Sequence, residues 1–159
     1  MTIEFRVVYP DMIEGDMGSL TNPDPYVGVD HPYIDGLLER DELVIPEETI
    51  RAEFSYPMNI GHIFTFSSEG GFTREQLVRC ICSQYEKIYE EEKETSTIEP
   101  MTFGRYYSKT GRYKGPRFNR ITTDGKYGIH TRCLRDLCLV GIQHDDKEGI
   151  YRLVVEGSE

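Results

Sequence analysis

The stretch that most restricts the fold begins at Thr73. Gln76 follows three residues later, and Leu77, Ile81, Tyr85, Ile88 and Tyr89 then recur at helical spacing. Thr73 and Gln76 form a capping-box pattern, in which each side chain satisfies a backbone N–H that the first helical turn leaves open. The apolar recurrence puts one stripe toward a core. The pattern predicts a helix over residues 73–94, roughly 22 residues and about 33 Å long. Its far end is unusual. Glu90, Glu91, Glu92 and Glu94 fall where the helix macrodipole is already negative. Each such charge is unfavourable by about 0.3–1 kcal/mol unless something cationic lies nearby.

A one-faced helix needs a sheet to cover it, and the flanking sequence supplies strands. Ile3–Val7 alternates apolar and charged residues and reads as a half-buried strand ending at Pro10. Residues 49–55 alternate again and are closed by Pro57, and residues 62–66 read as their hairpin partner across Met58–Gly61. Residues 118–122 and 126–129 flank Thr123-Asp124-Gly125, and Asp-Gly suits a hairpin turn that needs positive φ. Residues 137–143 and 150–155 flank a polar turn and make a further hairpin. Residues 95–116, with three glycines and two prolines, read as a long loop. The expected fold is α+β: antiparallel sheet with hairpins, packed around one long amphipathic helix.

With 159 residues the chain is expected to form one domain over 1–159. Residues 10–48 hold five of the eight prolines and many acids, and read as an acidic covering segment. Within it Tyr26, Val27, Tyr33, Ile34, Leu37 and Leu38 are apolar enough to pack. No apolar run is long enough for a membrane span, and the first residues do not resemble a secretory signal. Four cysteines are therefore expected to be reduced thiols in an intracellular compartment.

The net charge of −10 is unevenly placed. Residues 1–60 carry 13 acidic and 3 basic side chains, whereas residues 101–135 carry one acid, Asp124, against nine bases. This basic block interleaves Arg105, Lys109, Arg112, Lys114, Arg117, Arg120, Lys126, Arg132 and Arg135 with Phe103, Tyr106, Tyr107, Tyr113, Phe118 and Tyr127. Cations that follow phosphates and rings that stack on bases suit single-stranded nucleic acid. Arg105, Tyr106, Arg112, Tyr113, Lys114, Arg117 and Arg120 are the candidate contacts, to nucleic acid or to a protein partner. The competing expectation is that the block neutralises the acidic remainder of its own fold.

Other constellations carry less. Gly70-Gly71 precede the helix, and Arg74 lies in its first turn, so backbone amides and a guanidinium could hold a phosphate or carboxylate. The stretch lacks the spacing of a P-loop or a dinucleotide fingerprint. Cys133, Cys138 and His130 could supply three zinc ligands, but in no common finger spacing, so no metal or other cofactor is expected. The turn His144-Asp145-Asp146 with Glu148 lacks the ligand alternation of a calcium loop. Ser67, Ser68 and the cysteines are potential nucleophiles, with His31, His62, His130 and His144 as bases. No catalytic motif joins them, and no catalytic residue is assigned.

Gly71-Phe72-Thr73-Arg74, the helix ending Tyr89-Glu90-Glu91-Glu92, then Asn119-Arg120 and Asp124-Gly125-Lys126-Tyr127-Gly128-Ile129 together carry a resemblance. Over roughly residues 66–155 the chain resembles a group of short uncharacterised proteins of giant DNA viruses of the marseillevirus kind, with relatives in plants. In that pattern a Trp and an acidic residue follow Tyr-Gly-Ile; here His130-Thr131-Arg132-Cys133 stands instead. The resemblance implies an intracellular protein of the host cytoplasm or nucleus, with packaging in the virion as a further location, and brings no catalytic residues.

The leading expectation is a non-enzymatic interaction protein that engages a protein partner or forms a homo-oligomer, away from membranes. Opposite charges on one chain can pair across a two-fold axis. Two alternatives stand beside it: single-stranded nucleic-acid binding through residues 103–135, and an enzyme acting on a phosphorylated substrate at the Gly70-Gly71 turn.

Overall fold

The computed structural model describes residues 1–8, 26–97, 122–130 and 132–157. The expected α+β class holds: eight strands accompany one helix, α1 (Arg74–Thr95), among the described residues. The strands are β1 (Thr2–Glu4), β2 (Val27–Gly28), β3 (Leu43–Ile45), β4 (Thr49–Phe54), β5 (His62–Ser67), β6 (Phe72–Thr73), β7 (Leu137–Asp145) and β8 (Ile150–Gly157). Single 3₁₀ turns occupy Ile34–Gly36 and Leu134–Asp136.

The helix forms as its sequence requires. Thr73 is the N-cap; its hydroxyl accepts from the Gln76 amide at 3.1 Å, and the Gln76 side chain accepts from the Thr73 amide at 2.8 Å. Leu77, Ile81, Tyr85 and Ile88 are buried, joined by Val78 and Cys82, while Tyr89 is half-buried. Each such apolar side chain contributes about 1.5–3 kcal/mol by leaving water.

The main sheet runs β1-β7-β8-β4-β5. Two expected hairpins are present, β4 with β5 and β7 with β8. One pairing at the centre is parallel, where β8 lies beside β4 with Ala52 opposite Tyr151 and Glu53 opposite Arg152. That pairing joins two hairpins about 100 residues apart, and no local turn signal encodes its direction. β1 and β2 both pair with β7, at Ile142 and at Leu139, so two short strands share one edge of it.

The described part of the acidic covering segment packs, as its apolar residues require. Val27, Val29 and Leu37 are buried, and Val7 bridges Leu37. Leu38 departs from that expectation and is 47% exposed. β3 pairs with β6 directly before the helix. One apolar cluster runs from Ile3 through Phe54, Ile81 and Leu139 to Tyr151, with Phe54 and Tyr85 rings 5.0 Å apart where helix meets sheet.

The hairpin expected around Asp124-Gly125 is a correction. Residues 118–121 lie outside the described residues, and 122–130 form a loop rather than a strand ladder. Thr123 donates its amide to the Ile129 carbonyl at 3.0 Å, and Ile129 bridges Met58. The amides inside that loop turn toward the helix end.

Candidate interaction edge and its groove

The acidic end of α1 is held by backbone. Glu92 has no exposed surface, and its carboxylate accepts from the amides of Gly125 (2.8 Å), Tyr127 (2.7 Å) and Gly128 (3.2 Å), and from the Thr123 hydroxyl (2.5 Å). Gly128 holds a φ of +65°, where a side chain is strained, and a Cβ on Gly125 would collide with Thr95 and with Glu92 itself. Burial pushes the Glu92 carboxyl up, but the hydrogen bonds from Thr123, Tyr127, Gly125 and Gly128 together hold it below its ordinary value.

Beside it Glu91 accepts from the Tyr127 hydroxyl at 2.5 Å and faces Lys126 Nζ at 3.4 Å. The Tyr127 hydrogen bond holds the Glu91 carboxyl down, while burial and then Glu91 push the Tyr127 hydroxyl up. Asp124 accepts from the amide and hydroxyl of Thr97 and from Ser96. The helix end and the Asp124–Ile129 segment are thus two halves of one interaction.

The other end of α1 holds the anion-site candidates Gly70, Gly71 and Arg74. Gly70 donates to the Glu48 carboxylate at 2.7 Å, and Arg74 binds Glu42 Oε1 at 2.6 Å and the Glu4 and Glu39 carbonyls at 3.1 Å. Gly71 donates to the Ser68 carbonyl, and the Arg74 and Glu75 amides donate to the carbonyls of Glu42 and Arg40. Among the described residues Gly70, Gly71 and Arg74 therefore share no common partner. The amides a phosphate would need are engaged by the chain's own oxygens. The Arg74 guanidinium likewise holds the Glu42 carboxyl down.

Of the basic-block candidates, Arg105, Tyr106, Arg112, Tyr113, Lys114, Arg117 and Arg120 lie outside the described residues. Among the described members, Lys126 faces Glu91 and Arg132 donates from Nε to the Tyr56 hydroxyl at 3.0 Å. Among the described residues no group of three His, Cys, Asp or Glu is arranged to hold a metal. Cys133 donates its thiol to Asp136 at 3.2 Å. Asp145 accepts from the Lys147 and Glu148 amides, so its turn is closed by its own backbone. No described helix is long and apolar enough to cross a membrane.

A feature the sequence left unmarked is the free side of β5. Ser68 donates to the Glu48 carbonyl at 2.8 Å, which makes 48 and 68 a hydrogen-bonded pair of the antiparallel ladder. Alternation then directs His62, Phe64 and Phe66 toward β4, and turns the N–H and C=O groups of Ile63, Thr65 and Ser67 away from it. β5 ends the sheet, and these six groups find no backbone partner among the described residues. At the opposite edge the chain just past β1 is paired, since Leu38 donates to the Arg6 carbonyl and Val8 to that of Gly36. The strand itself, His62-Ile63-Phe64-Thr65-Phe66-Ser67, carries no Lys, Glu, Asp or Pro, the residues with which proteins blunt edges, and Ile63 is 47% exposed.

A groove of about 400 Å³ adjoins this edge on the helix side. Phe64 and Tyr127 contribute aromatic surface, and Gln84, Lys87, Glu91 and Glu94 form one stripe of α1 along it, with Glu90 and Lys126 beside them. A second groove of about 610 Å³ includes Ile50, Tyr151 and His144, whose Nδ1 lies 2.6 Å from Asp146 Oδ1. The terminal position of β5 in the sheet is non-local; its uncharged β-branched and aromatic composition was the one signal available to find it. No family model, curated protein or solved structure matches the chain.

Proposed function

We propose that the protein is a non-enzymatic interaction protein that binds an extended chain by adding it as a further strand to β5. The observation that carries this reading is the row of outward N–H and C=O groups on Ile63, Thr65 and Ser67 in an uncharged strand. An added strand would pair its main chain with those groups, and its alternate side chains would meet the groove beside Phe64. An intracellular setting, with or without packaging in a virion, belongs to the same proposal and rests on the resemblance.

The test uses Thr65→Pro. Its N–H faces the open side, where proline is tolerated in an edge strand yet removes a donor that pairing needs. Twelve-residue peptides selected from a display library on the parent protein should lose binding to this variant. They should also protect the amides of Ile63, Thr65 and Ser67 from hydrogen exchange. Selected peptides that bind parent and variant equally, or protect other amides, would overturn the reading.

A further inference from the structure

Glu90 and Glu94 are one helical turn apart on α1, both line the groove, and both are exposed. Like charges at this spacing repel, and here they add to the negative end of the macrodipole. Lys126 is engaged by Glu91 at 3.4 Å and lies over the Tyr127 ring at 5.4 Å. Neither Glu90 nor Glu94 has an ion-pair partner among the described residues. With Lys87 and Glu91 included, the groove holds three carboxylates against two ammonium groups. Its aromatic surface is the kind on which the aliphatic stem of a long cationic side chain packs.

We propose that the segment added to β5 carries an arginine or lysine on its helix-facing side, with the stem against Phe64 and Tyr127 and the cation between Glu90 and Glu94. The partner is thus an extended basic segment of another protein, with this chain's own basic residues, in the same or a second copy, as the competing occupant that the exchange measurement below tests. This rests on the strand-addition reading and adds the chemistry that selects the strand. An extended chain alternates its side chains, so one face of the partner meets the groove and the other lies beside Ile63. Specificity comes from a single position of that partner, and the main-chain bonds are indifferent to sequence.

The probe is a capped peptide, Thr-Val-Thr-Val-Arg-Val-Thr-Val-Thr, compared with versions carrying citrulline or Glu in place of Arg. Citrulline keeps the shape and removes the charge. Titration of the full-length protein should show the Arg peptide binding about tenfold more tightly than the citrulline peptide, and the Glu peptide weakest. The double variant Glu90→Gln/Glu94→Gln should bring the Arg and citrulline affinities together. Equal affinities for the parent would overturn the cation site and leave strand addition standing. Binding of the Arg peptide that Thr65→Pro leaves unchanged would overturn both. Hydrogen exchange of the protein alone supplies the remaining arm. Slow exchange at Ile63, Thr65 and Ser67 without peptide would mean that residues 98–121 or a second copy already fills the edge, and the proposal would fall.

Discussion

Glu92 and Thr123, 31 residues apart, meet at 2.5 Å inside the protein, and the loop containing Thr123 turns three further amides toward the same carboxylate. A helix with a buried Glu in its last turn would be expected to fray. Here the negative end of the helix and the buried charge are answered together by N–H dipoles that no other acceptor claims among the described residues. Glu92→Ala would leave those donors buried without a partner, each worth roughly 1–3 kcal/mol, so a loss of about 3 kcal/mol or more is expected. Urea denaturation of parent and variant measures it. A loss below about 1 kcal/mol would show that water or rearrangement replaces the carboxylate.

The same carboxylate makes stability depend on pH. Its folded-state pKa lies below the unfolded value, because the hydrogen bonds outweigh the effect of burial. A depressed acid contributes fully above the unfolded pKa, about 4.3 for Glu, and its contribution is lost as pH falls through the folded value. The urea midpoint of the parent should therefore fall between pH 6 and pH 3 by more than that of Glu92→Gln, which has no charge to lose. Equal falls would assign the acid sensitivity to exposed Glu42 and half-buried Glu91 and Asp145, whose carboxyls are also held down.

Ile81 is 1% exposed on the sheet-facing stripe of α1. Ile81→Asp places an unpaired carboxylate in the core at a cost of several kcal/mol, comparable with the whole stability of such a domain. The variant is expected to be unfolded by circular dichroism at 25 °C, whereas Ile81→Val should cost only about 0.5–1.5 kcal/mol. A melt of Ile81→Asp within a few degrees of the parent would contradict the placement of this face.

The parts of the fold that were legible were those whose cause is local. Thr73 and Gln76 announce the helix because a capping box is complete within four residues. The β4–β5 and β7–β8 hairpins follow from alternation on either side of a turn. What stayed hidden depends on distant residues. The parallel register of Ala52 with Tyr151 and the terminal position of β5 are properties of the sheet order, which short-range patterns do not contain. Asp124-Gly125 looked like a hairpin turn because the acceptor for its neighbours' amides is a glutamate on the helix, about thirty residues earlier. The misplaced acids at the helix end were the available clue, read as a demand for a cation when the answer was largely backbone. At the other end, Gly70 and Arg74 bind two separate carboxylates of the chain itself, Glu48 and Glu42, which lie 22 and 32 residues earlier and carry no local signal of that pairing.

The basic block admits a decisive measurement of its own. If residues 103–135 bound single-stranded nucleic acid, affinity would fall with salt by about 0.7 logarithmic units per neutralised phosphate. Replacing Arg112, Lys114 and Arg117 with Ala would then flatten that slope by about 2 units, and Tyr113→Ala would cost roughly 1–3 kcal/mol of stacking. Two considerations point the other way. The chain carries a net charge of −10, which repels a polyanion, and Lys126 and Arg132 at the end of the block are already engaged by Glu91 and Tyr56. The expected outcome is therefore binding of a labelled oligonucleotide no tighter than about millimolar at low salt, below the range of ordinary non-specific binders. In that case the triple variant should alter stability and have no nucleic-acid affinity to lose. Micromolar binding with a steep salt slope, weakened and flattened by the triple variant, would instead make the block a nucleic-acid surface and displace the strand-addition reading as the protein's principal activity.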